Sequence, residues 1–324
     1  MSTTKIAWTD LTLNPVIGCT HAAYRPQDET KAVAHPGCQN CYAEVMCSRT
    51  LPGFEVHNEC SQGGRWTGKV EVIHDRLLWP FTRKEYRPRL DGTKRRCFLT
   101  SLGDLGHPSL KVQDWMAIQG MMLLADWIIW QDLTKRPIVQ ENRLKQYSPM
   151  ECVAAWREVV GQDMARQYVQ FEEPEEWHLL GRKWHHFTHI HRYVSVSDQP
   201  TVDALIPDLL EMPAAVRGIS LEPMLAPVDL TRWIDRLDHV IIGGESGRKA
   251  RPFDPQWAAD VLNQCREAGK PCFVKQMGSD PYTEDVTQWE WFDADSPLQL
   301  SGKGEDMNEW PECLRVRQQV GHKT

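Results

Sequence analysis

Several features that would place this chain in a common protein class are missing from its sequence. No run approaches the roughly 18 to 20 apolar residues that a helix needs to cross a bilayer. The opening residues, MSTTKIAWTD, lack the charged and then apolar segments of a secretory signal. We therefore expect a cytoplasmic protein that has no membrane partner.

Basic residues are in the minority. The chain has 37 Lys and Arg residues against 44 Asp and Glu, which gives a formal net charge of -7. A protein that coats nucleic acid through phosphate contacts alone has a basic surface, so this balance argues against that class and leaves only a local basic groove open. The length of 324 residues is enough for one barrel-sized domain.

Cysteines are numerous but scattered. Ten of them are spread along a chain without a secretory signal, which favours thiols and metal ligands over a disulfide framework. Cys38 and Cys41 form a C-x-x-C pair, and Cys19 stands upstream in a Gly-Cys-Thr stretch. Two thiolates at this spacing can bind one metal centre from a single loop, while a third thiolate comes from nearby in space.

The spacing alone leaves three kinds of cysteine site open. One is an iron-sulfur cluster on three cysteines with one free iron position. Another is a zinc site, which needs a fourth protein ligand. A disulfide-exchange pair is less favoured, because no thioredoxin-like context surrounds the C-x-x-C turn. The candidate fourth zinc ligands are His21, His35, Cys47 and Cys60.

Apolar runs and helix-like stretches alternate from about residue 95 onward. This order is typical of parallel strands joined by helical crossovers and predicts an α/β fold, a partial (β/α) barrel. The predicted strands are 96–101, 127–134, 192–197, 218–223, 239–244 and 271–276, and the predicted helices are 112–125, 201–212 and 255–268. We expect residues 1–278 to form the barrel, with a cluster loop at 18–44, a helical insertion or lid at about 140–190, and an extension at 279–324 packed on it.

Polar residues recur just past the predicted strand ends. In barrels and open α/β sheets the carboxyl ends of the strands face the active site. Each group has an ordinary structural alternative: a helix cap, a salt bridge, a solvated strand end or a tight glycine turn. The candidates are Ser101 and Asp104, Lys135 and Arg136, Ser197 and Asp198, Glu222, Gly243 to Gly247, and Lys275 with Gln276.

A series of motifs runs in order over nearly the whole chain. They are WTDLTLNPVIGC, PGCQNCYAE, LTSLGDL, LTKRP, VSVSDQ, SLEPMLAPVDL, VIIGGESGRKARPFDP, CFVKQMG and EWPECLRVR. Together they resemble the uncharacterised, phage-associated family of radical-SAM-like proteins. The resemblance implies a partial barrel of the radical-SAM type, a 4Fe-4S cluster on Cys19, Cys38 and Cys41, and S-adenosylmethionine bound across the strand ends.

The sequence departs from the family pattern in three places. The gap between Cys19 and Cys38 is longer than the compact loop of the family. Gly103 and Gly106 stand where the family has a small polar and an apolar residue. The insertion at 140–190 has no family counterpart.

The resemblance also gives the strand-end residues their expected roles. Glu222 and Lys135 are the candidate catalytic residues, since a carboxylate and an ammonium group can hold ribose hydroxyls, a carboxylate or a phosphate. The expected cofactor-binding residues are Ser101, Asp104, Lys135, Arg136, Ser197, Glu222, Gly243, Gly244, Glu245 and Lys275.

The expected function is radical chemistry on a nucleobase or nucleotide. Cleavage of S-adenosylmethionine requires an external electron donor such as flavodoxin or ferredoxin, and the phage association of the family suggests DNA modification. Two alternatives stay open: a radical enzyme acting on a peptide or small metabolite, and a non-enzymatic, zinc-stabilised protein that binds nucleic acid. A metal site on His185, His186, His189 and His191 is weakly indicated, and Trp177 and Trp184 are candidates for base stacking or for packing.

Overall fold

A computed structural model describes residues 4–27, 29–49, 53, 55–168, 181–282 and 300–321 of the chain. The strands are β1 (Leu11–Leu13), β2 (Val16–Ile17), β3 (Ala23–Tyr24), β4 (Val33–Ala34), β5 (Ser61–Gln62), β6 (Arg65–Trp66), β7 (Glu71–Val72), β8 (Arg95–Leu99), β9 (Ile128–Thr134), β10 (Ile190–Val196), β11 (Val216–Leu221), β12 (His239–Gly243) and β13 (Cys272–Gln276). Seven of them form one sheet in the order β1-β8-β9-β10-β11-β12-β13. The pairs β2 with β7, β3 with β4 and β5 with β6 are short and antiparallel.

The helices are α1 (Tyr42–Cys47), α2 (Glu55–Cys60), α3 (Trp79–Thr82), α4 (Val112–Leu124), α5 (Pro137–Gln146), α6 (Pro149–Val160), α7 (Gln162–Tyr168), α8 (Gln199–Glu211) and α9 (Pro255–Glu267). Short 3-10 helices include Pro36–Cys38 and Ile234–Arg236. None of the helices in the described ranges is long and apolar enough to cross a membrane.

The predicted α/β alternation is confirmed. All six predicted strands and all three predicted helices are present, with boundaries that differ by at most two residues. Every residue of β10 and β12 is buried, as expected of strands covered on both faces. The region 140–190 contains α6 and α7 and the end of α5; residues 169–180 lie outside the described part. The proposed domain boundaries stay predictions.

The chain divides into two compact units. Unit 1 comprises residues 1–20, 42–193 and 211–216, and unit 2 comprises residues 21–41, 194–210 and 217–324. In unit 1, β1, β8 and β9 pair in parallel, with Leu11 opposite Cys97 and Cys97 opposite Trp130. Helix α6 packs on α4 so closely that a Cβ added at Gly120 would lie 2.2 Å from the carbonyl oxygen of Cys152. Helix α6 is therefore part of the packed body of unit 1.

Unit 1 also contains a buried polar network between its sheet and its helices. Arg192 on β10 forms a buried ion pair with Asp132 on β9 and donates to Gln119 Oε1 on α4 at 2.6 Å. Gln140 on α5 donates to Asp132 Oδ2 at 3.0 Å and accepts from the indole of Trp115 at 2.8 Å. These pairings compensate for the removal of two charges from water.

Unit 2 is built around β11, β12 and β13, which pair in parallel. The register shifts between Ile242 and Gly243, where a bulge interrupts the pairing with β13. The outer edge of β13 pairs with a segment near the C-terminus: the Val274 N–H donates to Val316 O at 2.8 Å, and the Gln318 N–H donates to Cys272 O at 2.9 Å.

Candidate functional site

The side chain of Arg136 lies against the sulfur of Cys19 in unit 1. Arg136 lies two residues beyond the end of β9, and its side chain is only 10% exposed. Its Nη1 donates to Cys19 Sγ at 3.4 Å and to Asp104 Oδ2 at 2.8 Å, while its Nη2 donates to Thr20 O at 2.7 Å. Burial opposes the charged form, but Asp104 and Cys19 outweigh it, so the pKa of Arg136 lies above its ordinary value.

Asp104 connects the loops that follow β8 and β9. Its Oδ1 accepts hydrogen bonds from Thr134 Oγ1 at 2.6 Å and from the Gly106 N–H at 2.8 Å. Its Oδ2 accepts from the Lys135 N–H at 3.2 Å as well as from Arg136. Both oxygens of this predicted cofactor ligand are thus used within unit 1. A Cβ at Gly106 would lie 2.6 Å from Thr134 Oγ1, which explains the glycine at that position.

His107 fixes the residue that follows Cys19. Its Nδ1 accepts from the Ser109 N–H at 3.1 Å, so the proton of the neutral ring is on Nε2, which donates to Thr20 Oγ1 at 3.0 Å. Burial lowers the pKa of His107, and the nearby charge of Arg136 lowers it further. The neutral form therefore suits this contact.

Two further predicted residues of unit 1, Ser101 and Lys135, differ in whether their side chains already have partners. Ser101 Oγ donates to Asn14 Oδ1 at 3.0 Å, so its hydroxyl is already engaged. The half-buried ammonium group of Lys135 makes no hydrogen bond or ion pair with any residue that the structure describes. Lys135 is therefore the predicted cation in this unit that retains its binding capacity for an anion.

Thr100 was missed by the sequence reasoning. It follows β8 with a φ of 62°, a region that a β-branched residue rarely adopts. Its hydroxyl is buried and has no hydrogen-bond partner among the described residues. Strain and an unpaired polar group at a strand end are typical of binding sites. The letters of the motif LTSLG carry no signal for this conformation.

His35, one of the candidate zinc ligands, lies three residues before Cys38 in unit 2. Cys38 is buried at the end of the 3-10 helix Pro36–Cys38, and Cys41 is half-buried. The Nδ1 of His35 accepts from the Gly37 N–H at 3.0 Å, so Nε2 is protonated and donates to Ser195 O at 3.0 Å. Both ring nitrogens are occupied, which leaves none for zinc.

Glu245 holds the cysteine loop of unit 2 through two side chains. Arg251 donates to Glu245 Oε2 from Nε at 2.9 Å and to Oε1 from Nη2 at 2.7 Å. Asn40 Nδ2 donates to Glu245 Oε2 at 3.1 Å. Burial raises the pKa of Glu245, but these hydrogen bonds outweigh burial and the net pKa is lowered. Arg251 Nη2 also donates to Pro36 O at 3.1 Å. This predicted cofactor ligand thus anchors the loop of Cys38 and Cys41.

Glu222 and Lys275 form an ion pair in unit 2. The Nζ of Lys275 lies 2.6 Å from Glu222 Oε1, outside hydrogen-bond geometry, and Ser220 Oγ donates to Oε2 at 3.1 Å. Both charged side chains are less than 20% exposed. The hydroxyl of Ser197 is buried and unpaired among the described residues. Ser197, Glu222 and Lys275 were all predicted site residues.

Gly243, the last residue of β12, and Gly244, which follows it, are closely packed. A Cβ at Gly243 would lie 2.8 Å from Glu222 Oε1, and a Cβ at Gly244 would lie 2.4 Å from Met277 O. The backbone of β12 therefore approaches its neighbours more closely than any side chain permits.

The other candidate zinc ligands differ in burial and in protonation. Cys60 donates to Ile17 O at 3.5 Å, and burial raises its pKa to about 11, so it is a protonated thiol. Cys47 is fully buried, and His21 is exposed. Within the described ranges, no three His, Cys, Asp or Glu side chains are grouped as metal ligands. None of Cys19, Cys38 and Cys41 is in a disulfide, and cysteine sulfur is the donor that iron-sulfur clusters take from proteins.

The histidine and tryptophan cluster fits packing better than metal binding or base stacking. His189 is buried, its Nε2 donates to Met122 O at 3.0 Å, and burial lowers its pKa to about 4. His185 and His186 are exposed neighbours. Trp184 is buried and donates to Tyr147 O at 3.1 Å. Trp177 lies outside the described residues.

Comparison with known proteins gives one result. A family model described as a protein of unknown function, DUF5131, matches residues 3–290. No curated protein and no solved structure matches the chain. The match spans both the loop of Cys19 and the segment from Glu245 to Arg251. The chain therefore belongs to the DUF5131 family.

Proposed function

We propose that this chain is a cytoplasmic radical S-adenosylmethionine enzyme with a radical-SAM type barrel. Cys19, Cys38 and Cys41 would hold a 4Fe-4S cluster. The observation that supports this choice over zinc is the hydrogen bonding of His35, the candidate fourth ligand nearest to Cys38 in sequence, because both its ring nitrogens are used. A 4Fe-4S cluster held by three thiolates has one iron position open.

When bound, such a cluster would supply one electron to the sulfonium of S-adenosylmethionine; the C5′–S bond would then break to give methionine and a 5′-deoxyadenosyl radical able to take a hydrogen atom from the substrate. The ammonium group of Lys135, which has no partner among the residues that the structure describes, can bind the carboxylate of the cofactor. In unit 2 the Glu222 carboxylate, held by Lys275 and Ser220, can accept hydrogen bonds from ribose hydroxyls or from the substrate. The Ser197 hydroxyl, which has no hydrogen-bond partner in the described ranges, offers a further polar contact.

We further propose that the substrate is a nucleobase or nucleotide, in DNA modification, and that flavodoxin or ferredoxin supplies the electron. A peptide or a small metabolite is the alternative substrate class. Incubation of the loaded enzyme with oligonucleotides, free nucleotides and a peptide pool, each followed by mass spectrometry, separates these classes. A product from the peptide pool alone would contradict the nucleotide proposal.

The central experiment is anaerobic purification followed by metal analysis. We expect about four iron and four sulfide per chain, and formation of 5′-deoxyadenosine when dithionite and S-adenosylmethionine are added. Stoichiometric zinc with no 5′-deoxyadenosine would contradict the proposal and would favour the zinc-stabilised protein instead.

Single cysteine variants test the ligand assignment. Cys19→Ala, Cys38→Ala and Cys41→Ala should each lose both the cluster and the cleavage of S-adenosylmethionine. Cys313→Ala is the matched control, because Cys313 is an exposed free thiol and should leave the iron content unchanged. Retention of full iron by any of the three ligand variants would refute the assignment of that residue.

A further inference from the structure

Arg136, one of the predicted cofactor-binding residues, contacts the sulfur of the proposed cluster ligand Cys19 within unit 1. The sequence predicts that its guanidinium binds the carboxylate of the cofactor or a phosphate of the substrate. In unit 1 that guanidinium instead contacts Asp104, Thr20 and the sulfur of Cys19. Few of its donors remain for a carboxylate.

The orientation of Arg136 is fixed from both sides. Asp104 binds Nη1 at 2.8 Å and is itself held by Thr134 and by two backbone N–H groups. On the other side, Nη2 donates to the carbonyl oxygen and to the hydroxyl of Thr20, at 2.7 and 3.2 Å. A guanidinium with five donors in a planar fork suits such a set of acceptors better than an ammonium group.

We propose that Arg136 is a positioning residue for Cys19. Its guanidinium orients the Cys19 sulfur and keeps a positive charge beside it, and Asp104 holds the guanidinium in place. The contact between Arg136 and Cys19 does not depend on the proposed function, but its effect on a cluster does. There, a cationic hydrogen bond to a ligand sulfur stabilises the more negative, reduced state and slows metal loss.

The charge beside Cys19 can be measured without any cluster. In the iron-free full chain, the carboxymethylation rate of each cysteine by iodoacetate is compared with its carbamidomethylation rate by iodoacetamide, using mass spectrometry. Both reagents attack the same thiolate, so the ratio of the two rates cancels the thiolate fraction and reports the local charge. The anionic reagent is favoured where a cation lies beside the sulfur.

We expect the iodoacetate to iodoacetamide ratio at Cys19 to fall about fivefold in Arg136→Gln, the effect of one unit charge about 4 Å away in an aqueous environment. Arg136→Lys keeps the charge, so its ratio should fall by less than half as much as that of Arg136→Gln. This variant is measured instead if Arg136→Gln does not fold. The control is Arg96→Gln, which removes an arginine paired with Asp10 at 3.3 Å and should leave the ratio unchanged. An unchanged ratio in folded Arg136→Gln would refute the proposal.

A second measurement follows the cluster itself. After reconstitution, Arg136→Gln should lose iron to a chelator about 10 to 100 times faster than the wild type and have a lower reduction potential. An unchanged potential in a folded, loaded variant would overturn the positioning role at the cluster. If the wild type takes up no cluster, the proposed function fails, whereas the alkylation ratio still decides the role of Arg136 at Cys19.

Discussion

Arg251 binds both carboxylate oxygens of Glu245, and the same guanidinium donates to the carbonyl oxygen of Pro36, at the start of the 3-10 helix that ends at Cys38. One side chain thus connects the loop after β12 with the cysteine loop of unit 2. Charge-assisted bidentate pairs of this kind are among the stronger hydrogen bonds in proteins. The position of Cys38 therefore depends on a residue 213 positions away in the sequence.

Arg251→Lys should loosen the cysteine loop of unit 2. Lysine keeps the charge but cannot reach Glu245 and Pro36 together, so we expect amide exchange at residues 36–41 to accelerate about tenfold, a local loss of roughly 1.4 kcal/mol. Hydrogen exchange with mass spectrometry measures this. Arg266→Lys is the control, since Arg266 contacts Asn263 and Cys313 and no residue of that loop. Equal exchange in both variants would show that Arg251 does not hold the loop.

His189 should make the protein less stable in mild acid. Its folded-state pKa is about 4, against 6.5 for an ordinary imidazole, because burial disfavours the charged ring. As the pH falls, the imidazole of the unfolded chain takes up a proton before that of the folded chain. The stability of the folded state is therefore unaffected by this group above pH 6.5 and decreases as the pH falls toward 4. Between pH 7.5 and 5 the loss amounts to roughly 2 kcal/mol.

The His189→Gln variant tests this pH dependence. Glutamine keeps an N–H donor for Met122 O but cannot titrate, so its free energy of unfolding should fall about 2 kcal/mol less than that of the wild type over this pH range. Urea denaturation at both pH values measures the difference. His185→Gln, at an exposed position, should follow the wild type. Parallel curves for wild type and His189→Gln would contradict the prediction.

Gly120→Ala should destabilise unit 1, although alanine normally favours a helix. In an exposed helix this change gains roughly 0.5 to 1 kcal/mol. Here the added Cβ would lie 2.2 Å from Cys152 O, so α4 and α6 must separate. We expect a net loss of about 3 kcal/mol, measured by urea denaturation. Gly321→Ala, where an added Cβ has no atom within 4 Å, should change the free energy little. A stabilised Gly120→Ala would disprove the close packing.

Glu222 and Lys275 should be energetically coupled. Lys275→Met leaves a carboxylate that is mostly buried without its cation, and Glu222→Gln removes the charge from the other partner. A double-mutant cycle with both changes should give a coupling of about 2 kcal/mol in the free energy of unfolding. The same cycle on Ser301 and Glu309, an exposed hydrogen-bonded pair at 3.0 Å, should give less than about 1 kcal/mol. A coupling near zero for the first pair would show that the two charges act independently.

The sequence was informative about the sheet and less so about the site. The strands from β8 to β13 have five to seven residues and are rich in apolar side chains, so composition identifies them. Strand β1 has three residues and the pairs before residue 95 have two each, which is too short for any periodic pattern. Their partners are set by the tertiary fold.

The strand-end rule identified Asp104, Arg136 and Glu245 as candidate site residues but did not give their partners. Asp104 meets Arg136 because two neighbouring strands end side by side. Glu245 meets Asn40 across 205 positions of sequence. A spacing rule assigns a polar residue to a strand end, but the packed fold decides whether it faces a ligand or a side chain of the same chain.

The segment that lies along β13 has a consequence for self-association. β13 is the last strand in the sheet order, and an uncovered edge strand is a template for pairing with another chain. The N–H of Val274 is taken by Val316, and the N–H of Cys272 is taken by the side chain of Gln318. Arg317 lies over the ring of Phe273 at 5.6 Å and adds a charge to this edge. These residues therefore cover the edge of β13 and disfavour edge-to-edge aggregation.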